Sequence, residues 1–279
     1  MHHPVARSTA RGLLYVVIAG LAWGTGGPTG ALLFQYTGLD STAVSFWRLA
    51  AAALWLALAR RILRRGRLRH GFAPRYLFSG LGLALCQLGY FAAIPRVGVA
   101  VATVIALGAG PLFIALGARE RVTSTLALAV IGLALLVSGG QSGSAEVAGI
   151  AFALLSAAGY ALTTLLNRTE ADPITGAFLG FAYGAAILLP LTLTGTILPT
   201  HIGWPLIAYF GLVPTALAYT LFYAGLTTLR ASTAAVVALI EPAVAATLGV
   251  LLFHEHLTPR SLAGIAVLLA AVLLQALRE

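Results

Sequence analysis

Long apolar runs separated by short polar breaks fill almost the whole chain. Ten runs predict membrane-crossing helices: Gly12–Phe34, Thr42–Ala59, Tyr76–Ile94, Val97–Ala118, Thr123–Gly139, Val147–Leu166, Pro173–Thr196, Trp204–Thr228, Ser232–Phe253 and Pro259–Leu277. Most are about 17–25 residues, the length that crosses a bilayer core with modest tilt. The breaks are short, so neighbours in sequence are expected to be antiparallel neighbours in space. The tightest junction is Pro95-Arg96; moving that cut changes the number of spans and the sidedness of everything after it. One run is chemically unlike the rest. Ala231–Phe253 carries Glu241 followed by Pro242 about halfway along. An ionisable group at that depth is costly in hydrocarbon and marks a functional site by default. The proline has no N–H and frees a carbonyl, which survives where a neighbour or a wet cavity takes it up. The plainer reading is a kinked helix whose Glu pairs with a neighbour.

Composition confirms the class. The 279 residues are 59% hydrophobic and 9% charged, with mean hydropathy +0.95, against about 25% charged in soluble domains. The chain therefore reads as an all-α polytopic membrane protein, and no stretch between spans is long enough for a soluble domain. The net charge of +9 invites a nucleic-acid reading. All seventeen basic residues are Arg, however, and seven of them sit in Arg60–Arg75 beside apolar helices. A basic face against an anionic leaflet, with no nucleic-acid partner, fits better. With the N-terminus placed inside, fourteen arginines fall in inner segments, Arg96 and Arg260 fall outside, and Arg48 falls within a span. This asymmetry supports ten spans with both termini cytoplasmic in the cell (inner) membrane. Cys86 lies alone in an apolar run as a packing residue. No cleavable signal is evident, since Gly12–Phe34 is too long for a signal core.

The chain also repeats itself. Phe91 through Pro111 can be laid over Phe222 through Pro242, with Ala100 over Ala231. Arg119-Glu120-Arg121-Val122-Thr123 then meets His254-Glu255-His256-Leu257-Thr258, and Gly12 with Trp23 lies over Gly149 with Tyr160. The expectation is two repeats, residues 1–141 and 142–279. Each holds five spans, an odd number, so the second enters the membrane inverted relative to the first. Inverted repeats are a recurrent plan of secondary transporters, with the substrate held at mid-membrane between the halves. The match is imperfect: the first copy has Gly110-Pro111 where the second has Glu241-Pro242, and its fourth span is about one turn short after the proline.

On Trp23-Gly24, the Arg119–Thr123 turn, Glu241-Pro242 and the run from His254 to Pro259, the chain resembles the EamA-type members of the drug/metabolite transporter (DMT) superfamily. The resemblance covers essentially the whole chain. It implies ten helices, cytoplasmic termini and a central cavity lined by the third, fourth, eighth and ninth helices with parts of the first and sixth. Among members, the amino-acid exporters of the YddG kind are the most similar. The family carries varied cargo, so the resemblance does not name a substrate.

Several residues could carry the work. Glu241 can grip a substrate ammonium or hold a proton for exchange. Arg48 lies roughly 9 Å into its span at helical rise; it either snorkels outward or serves as charge partner to Glu241 or to a substrate carboxylate. Pro111 and Pro242 are candidate hinges in matching helices. Trp23, Gln87, Tyr90, Tyr160, Thr163, Tyr219 and Tyr223 lie inside spans rather than at the interfaces where Trp and Tyr usually gather. Together they predict an aromatic, polar, scarcely charged site suited to small zwitterions or neutral metabolites. Gly176, Gly180 and Gly184 recur on one helix face and predict close packing within one chain. His254-Glu255-His256 has the wrong spacing for a zinc protease, Gly24–Pro28 lacks a strand-to-helix context, and there is no ATP-binding loop. No metal and no cofactor are expected, nor an enzyme. The reading is a secondary transporter exporting amino acids or similar small metabolites by alternating access, as a monomer or weak homodimer. The alternative is a facilitative, channel-like pore for small neutral metabolites or drugs.

Overall fold

A computed structural model describes residues 4–64, 73–137, 147–195, 198–254 and 256–278. Arg65, Arg67, Arg69, Gly139, the repeat junction at 141/142, Thr196 and Glu255 lie outside the described residues. Among those described there is no strand. Eight helices are long and apolar enough to cross a membrane, and two shorter apolar helices, Val101–Gly117 and Ser124–Leu136, accompany them. The chain is a multi-span membrane protein.

Most of the interest lies where helices break. α1 (Pro4–Gly24) passes into α2 (Gly26–Thr37) across Thr25, so the first apolar span is longer than its sequence suggests, Ser8–Thr37. Asp40 caps α3 (Ser41–Ile62) by accepting from the Ala43 N–H at 2.8 Å. The third and fourth predicted spans form one element, α4 (Pro74–Gly117). Its helix runs through Pro95 and turns instead at Gly98, whose φ of 79° and ψ of 159° suit only glycine. α5 (Ser124–Val137), α6 (Val147–Asn167) and α7 (Pro173–Thr192) follow. α8 (Gly203–Gly211) and α9 (Ala218–Leu226) are joined by a π turn over Leu212–Leu217, which contains Pro214. α10 (Ala231–Ala238) and α11 (Ile240–Phe253) meet at Leu239, where ψ is 5°, and α12 (Pro259–Ala276) closes the bundle.

The main helix pairs are α4 with α6, α5 with α12, α3 with α7, α4 with α7, and α1 with α9. Small residues permit them. A Cβ on Gly132 would come within 2.6 Å of the Leu268 nitrogen, and one on Gly264 within 2.7 Å of the Gly132 oxygen, so α5 and α12 cross with their backbones nearly touching. The glycine face of α7 packs inside the monomer: Gly176 meets Asn167 and Glu170, Gly180 meets Ser79, and Gly184 meets Leu49 and the Gly80 oxygen. The largest core cluster gathers Val16, Trp23, Leu49, Phe181, Phe222 and Tyr223. Leu54, Leu251 and Leu273 point outward, as lipid-facing side chains do.

The end of the bundle that holds most of the arginines is laced by polar ties. Arg60 pairs with Asp172 at 3.6 Å and donates to Thr175. Arg75 pairs with Glu170, which also accepts from the Tyr76 hydroxyl at 2.8 Å. Glu120 accepts from the N–H groups of Ala231 and Ser232 at 3.2 and 2.9 Å and from the Ser232 hydroxyl at 2.5 Å, while Arg168 stands 3.8 Å away. Every one of these contacts joins a residue before position 138 to one after 146.

Candidate functional site

The break between α10 and α11 builds the centre. Pro242 has no N–H for the Ala238 carbonyl, and the helix yields three residues earlier, at Leu239. α1 lies against this break through its glycines. A Cβ on Gly20 would sit 3.3 Å from the Ala238 oxygen, and one on Gly24 would sit 2.5 Å from Val244 and 3.1 Å from the Glu241 oxygen. The Trp23-Gly24 pair thus has a clear division of labour: the glycine admits the neighbouring backbone, and the indole faces the aromatic cluster. Glu241 itself is half-buried. Among the described residues it has no hydrogen bond and no ion pair.

An aromatic wall stands beside it. Trp23 meets Tyr219 edge-on at 4.9 Å, Phe222 at 5.1 Å and Tyr160 at 6.4 Å, and Phe181 meets Tyr219 at 5.3 Å. Trp23 is 5% exposed, yet its indole N–H has no acceptor among the described residues. A buried donor left bare costs free energy until water or a ligand supplies an acceptor.

The other predicted residues divide. Tyr90 donates to or accepts from Thr103 at 2.8 Å, tying the two arms of α4 across Gly98. Gln87 is half-buried and has no hydrogen bond among the described residues. Thr163 and Tyr223 are buried and bonded to one another at 3.1 Å. Thr163 also bonds to Ser79 at 2.8 Å, and Asn167 donates to Ser79 at 2.8 Å. This closed chain ties α4, α6 and α9 and leaves little free capacity for cargo. Pro111 lies inside continuous helix, in contrast to the break beside Pro242. Arg48 is half-buried and turns toward the π turn: its Nε donates to the Thr215 hydroxyl at 3.0 Å, its Nη2 to the Pro214 oxygen at 3.4 Å, and its guanidinium stands 4.9 Å over Phe210. Sequence reasoning passed over Thr215, Phe222, Ser79 and Asn167. The dipeptide Pro214-Thr215 was the signal for the first; the buried polar chain had none. A separate cleft of about 400 Å³ at the Arg-rich end is lined by Ser8, Arg11, Tyr15, Pro173 and Thr227, and by none of the predicted site residues.

Comparison with known proteins adds family context. The sequence profile of the EamA-like transporter family matches residues 143–277. The chain is 33% identical over 278 residues to the uncharacterised transporter YwfM of Bacillus subtilis, covering 93% of this chain and 92% of that one. It is 31% identical over 236 residues to the threonine/homoserine exporter RhtA of Escherichia coli K12, covering 78% of each. A solved crystal structure superposes with a TM-score of 0.79 at 19% identity, covering 98% of this chain and 99% of that one, and so shares the fold.

Proposed function

The chain belongs to the EamA-like transporter family, in the drug/metabolite transporter superfamily, and on that premise we propose that it exports amino acids or similar small metabolites as a secondary transporter. Alternating access arises from two inverted five-helix repeats, residues 1–141 and 142–279, moving about a mid-membrane site. The observation that carries this reading is Glu241: a half-buried carboxyl at a broken point of a membrane helix, without an ion pair, beside an aromatic wall with a bare indole N–H. Trp23, Tyr160, Tyr219, Tyr90 and Gln87 complete the surface offered to the cargo, and the break at Pro242 gives it a hinge. The relative that exports threonine and homoserine supports amino acids as the first class to try.

Packing supports the repeats. Under the sequence superposition, Thr228 corresponds to Val97. A side chain on Gly12 would meet Thr228, and one on its mate Gly149 would meet Val97. Arg119 and His254, also mates, both end a helix with left-handed backbone, φ 56° and 55°. The arginine asymmetry supports cytoplasmic termini in the inner membrane; the working unit is a monomer or weak homodimer.

The test is counterflow in proteoliposomes. Labelled L-threonine should exchange against internal threonine with saturation. Flux that rises linearly with concentration and shows no counterflow would replace the transporter with a passive pore.

A further inference from the structure

We propose that Arg48 is the residue that receives a carboxylate on the cargo, so that this site takes zwitterions, with the cargo's ammonium toward Glu241. The inference deepens the export reading and rests on it.

The argument begins with Pro214. Without an N–H it leaves the Phe210 carbonyl without its ordinary helical donor, and the chain widens into a π turn. Such turns recur at functional sites. Here the gap is filled by the Thr215 hydroxyl, which donates to the Phe210 oxygen at 2.7 Å. That hydroxyl's oxygen in turn accepts from Arg48 Nε, and the Pro214 carbonyl accepts from Nη2. The ring of Phe210 lies under the guanidinium. The irregular turn therefore builds a seat, and Arg48, from α3, occupies it.

Everything in that seat is neutral: a hydroxyl, a carbonyl and a ring. Among the described residues no carboxylate stands within ion-pair distance of Arg48. A cation inside a membrane without a counter-ion is unstable unless something supplies the charge. Two of its five N–H donors are used, and Nη1 makes no hydrogen bond among the described residues, so donors remain for a carboxylate. Glu241 has the complementary deficit, a carboxyl without a cation. The two do not pair with one another, but they flank one aromatic wall: Thr215, which seats Arg48, lies one turn before Tyr219, Tyr219 meets Trp23, and Gly24 beside Trp23 packs on the Glu241 backbone. A molecule with both charges on adjacent atoms satisfies both residues at once. A simple amine or a simple acid satisfies one and leaves the other bare.

The experiment compares L-threonine, its methyl ester and 1-aminopropan-2-ol, the amine left when the carboxylate is removed, as counterflow substrates and competitors in proteoliposomes. For the wild-type chain, threonine should be preferred over both by about tenfold or more, the worth of a charged hydrogen-bonded contact. Arg48→Gln should raise the half-saturating threonine concentration by a similar factor while leaving that of the ester within about twofold. Arg48→Lys, which keeps the charge but loses the fork, should fall between. Ligand-induced thermal stabilisation of the detergent-purified proteins, read on the same three compounds, gives the same ranking from binding alone and shows whether each variant is folded. Saturable exchange that is blind to esterification, or a loss in Arg48→Gln that is equal for threonine and ester, overturns this inference and leaves the export reading standing. Absence of saturable exchange for all three compounds in the wild-type chain overturns the export reading, and this inference with it.

Discussion

The two proline stretches, Gly110-Pro111 in the first half and Glu241-Pro242 in the second, occupy matching places in the sequence repeat and do different things. Around Pro111 the helix is unbroken, and a Cβ on Gly110 would stand only 3.0 Å from the Tyr160 ring. The ring fills the place where a side chain would be. Around Pro242 the helix parts at Leu239, and a carboxyl stands in the corresponding place. Gly24 of α1 makes room for this second arrangement, whereas its mate in α6 is Ala161. On the proposed two-repeat reading, one copy of the feature carries a carboxyl and the other is filled by a ring. On that reading the proposed chemistry lies on one side, where a single charge can change the site without a second, costly charge opposite it.

Four substitutions sharpen that contrast. The largest effect is expected from Gly24→Val, which drives α1 away from Val244 and the Glu241 backbone; overpacking of about 1–3 kcal/mol should appear as a lowered unfolding temperature of the purified protein and loss of exchange. Next is Glu241→Gln, which keeps the shape and removes the charge. Threonine counterflow should fall about tenfold or more, and its dependence on pH should flatten; a pH profile like the wild type's would leave Glu241 a substrate contact and end its role as a proton site. Pro242→Ala returns an N–H to the Ala238 carbonyl and favours a continuous helix, so turnover should drop severalfold with little change in thermal stability. Pro111→Ala repairs a helix that is already unbroken, and turnover should stay within about twofold of wild type. If the two proline variants behaved alike, the contrast between the halves would be cosmetic.

The sequence displayed the apolar architecture plainly because length and hydrophobicity act locally. Eight of the predicted runs fall on helices long and apolar enough to cross a membrane, the fourth and fifth fall on shorter apolar helices, and the α7 glycines pack as their spacing implies. Breaks were harder. Pro95-Arg96 is the strongest punctuation between the third and fourth spans, but the backbone turns at Gly98, where the needed φ is available only to glycine. Glu241 was conspicuous as a lone charge in hydrocarbon. The role of Arg48 was not, because its partners Thr215 and Pro214 lie 166 and more residues away and belong to a turn type that pattern alone does not announce. Likewise Thr163 and Tyr223 looked like cavity-facing groups; only the fold reveals that Ser79 and Asn167 already occupy their hydrogen-bonding capacity.

The lacing at the Arg-rich end has a consequence for how such a molecule is put together. Glu120 serves as the missing first-turn partner of α10, a helix from the other part of the chain, and Glu170 and Asp172 are held by arginines on α4 and α3. Neither part, synthesised first and waiting in the bilayer, has its own acids and bases in balance. The ion pairs of Arg60 with Asp172 and of Arg75 with Glu170 therefore form only when both parts of the chain are in place, while most of the arginines at that end stay unneutralised by acids.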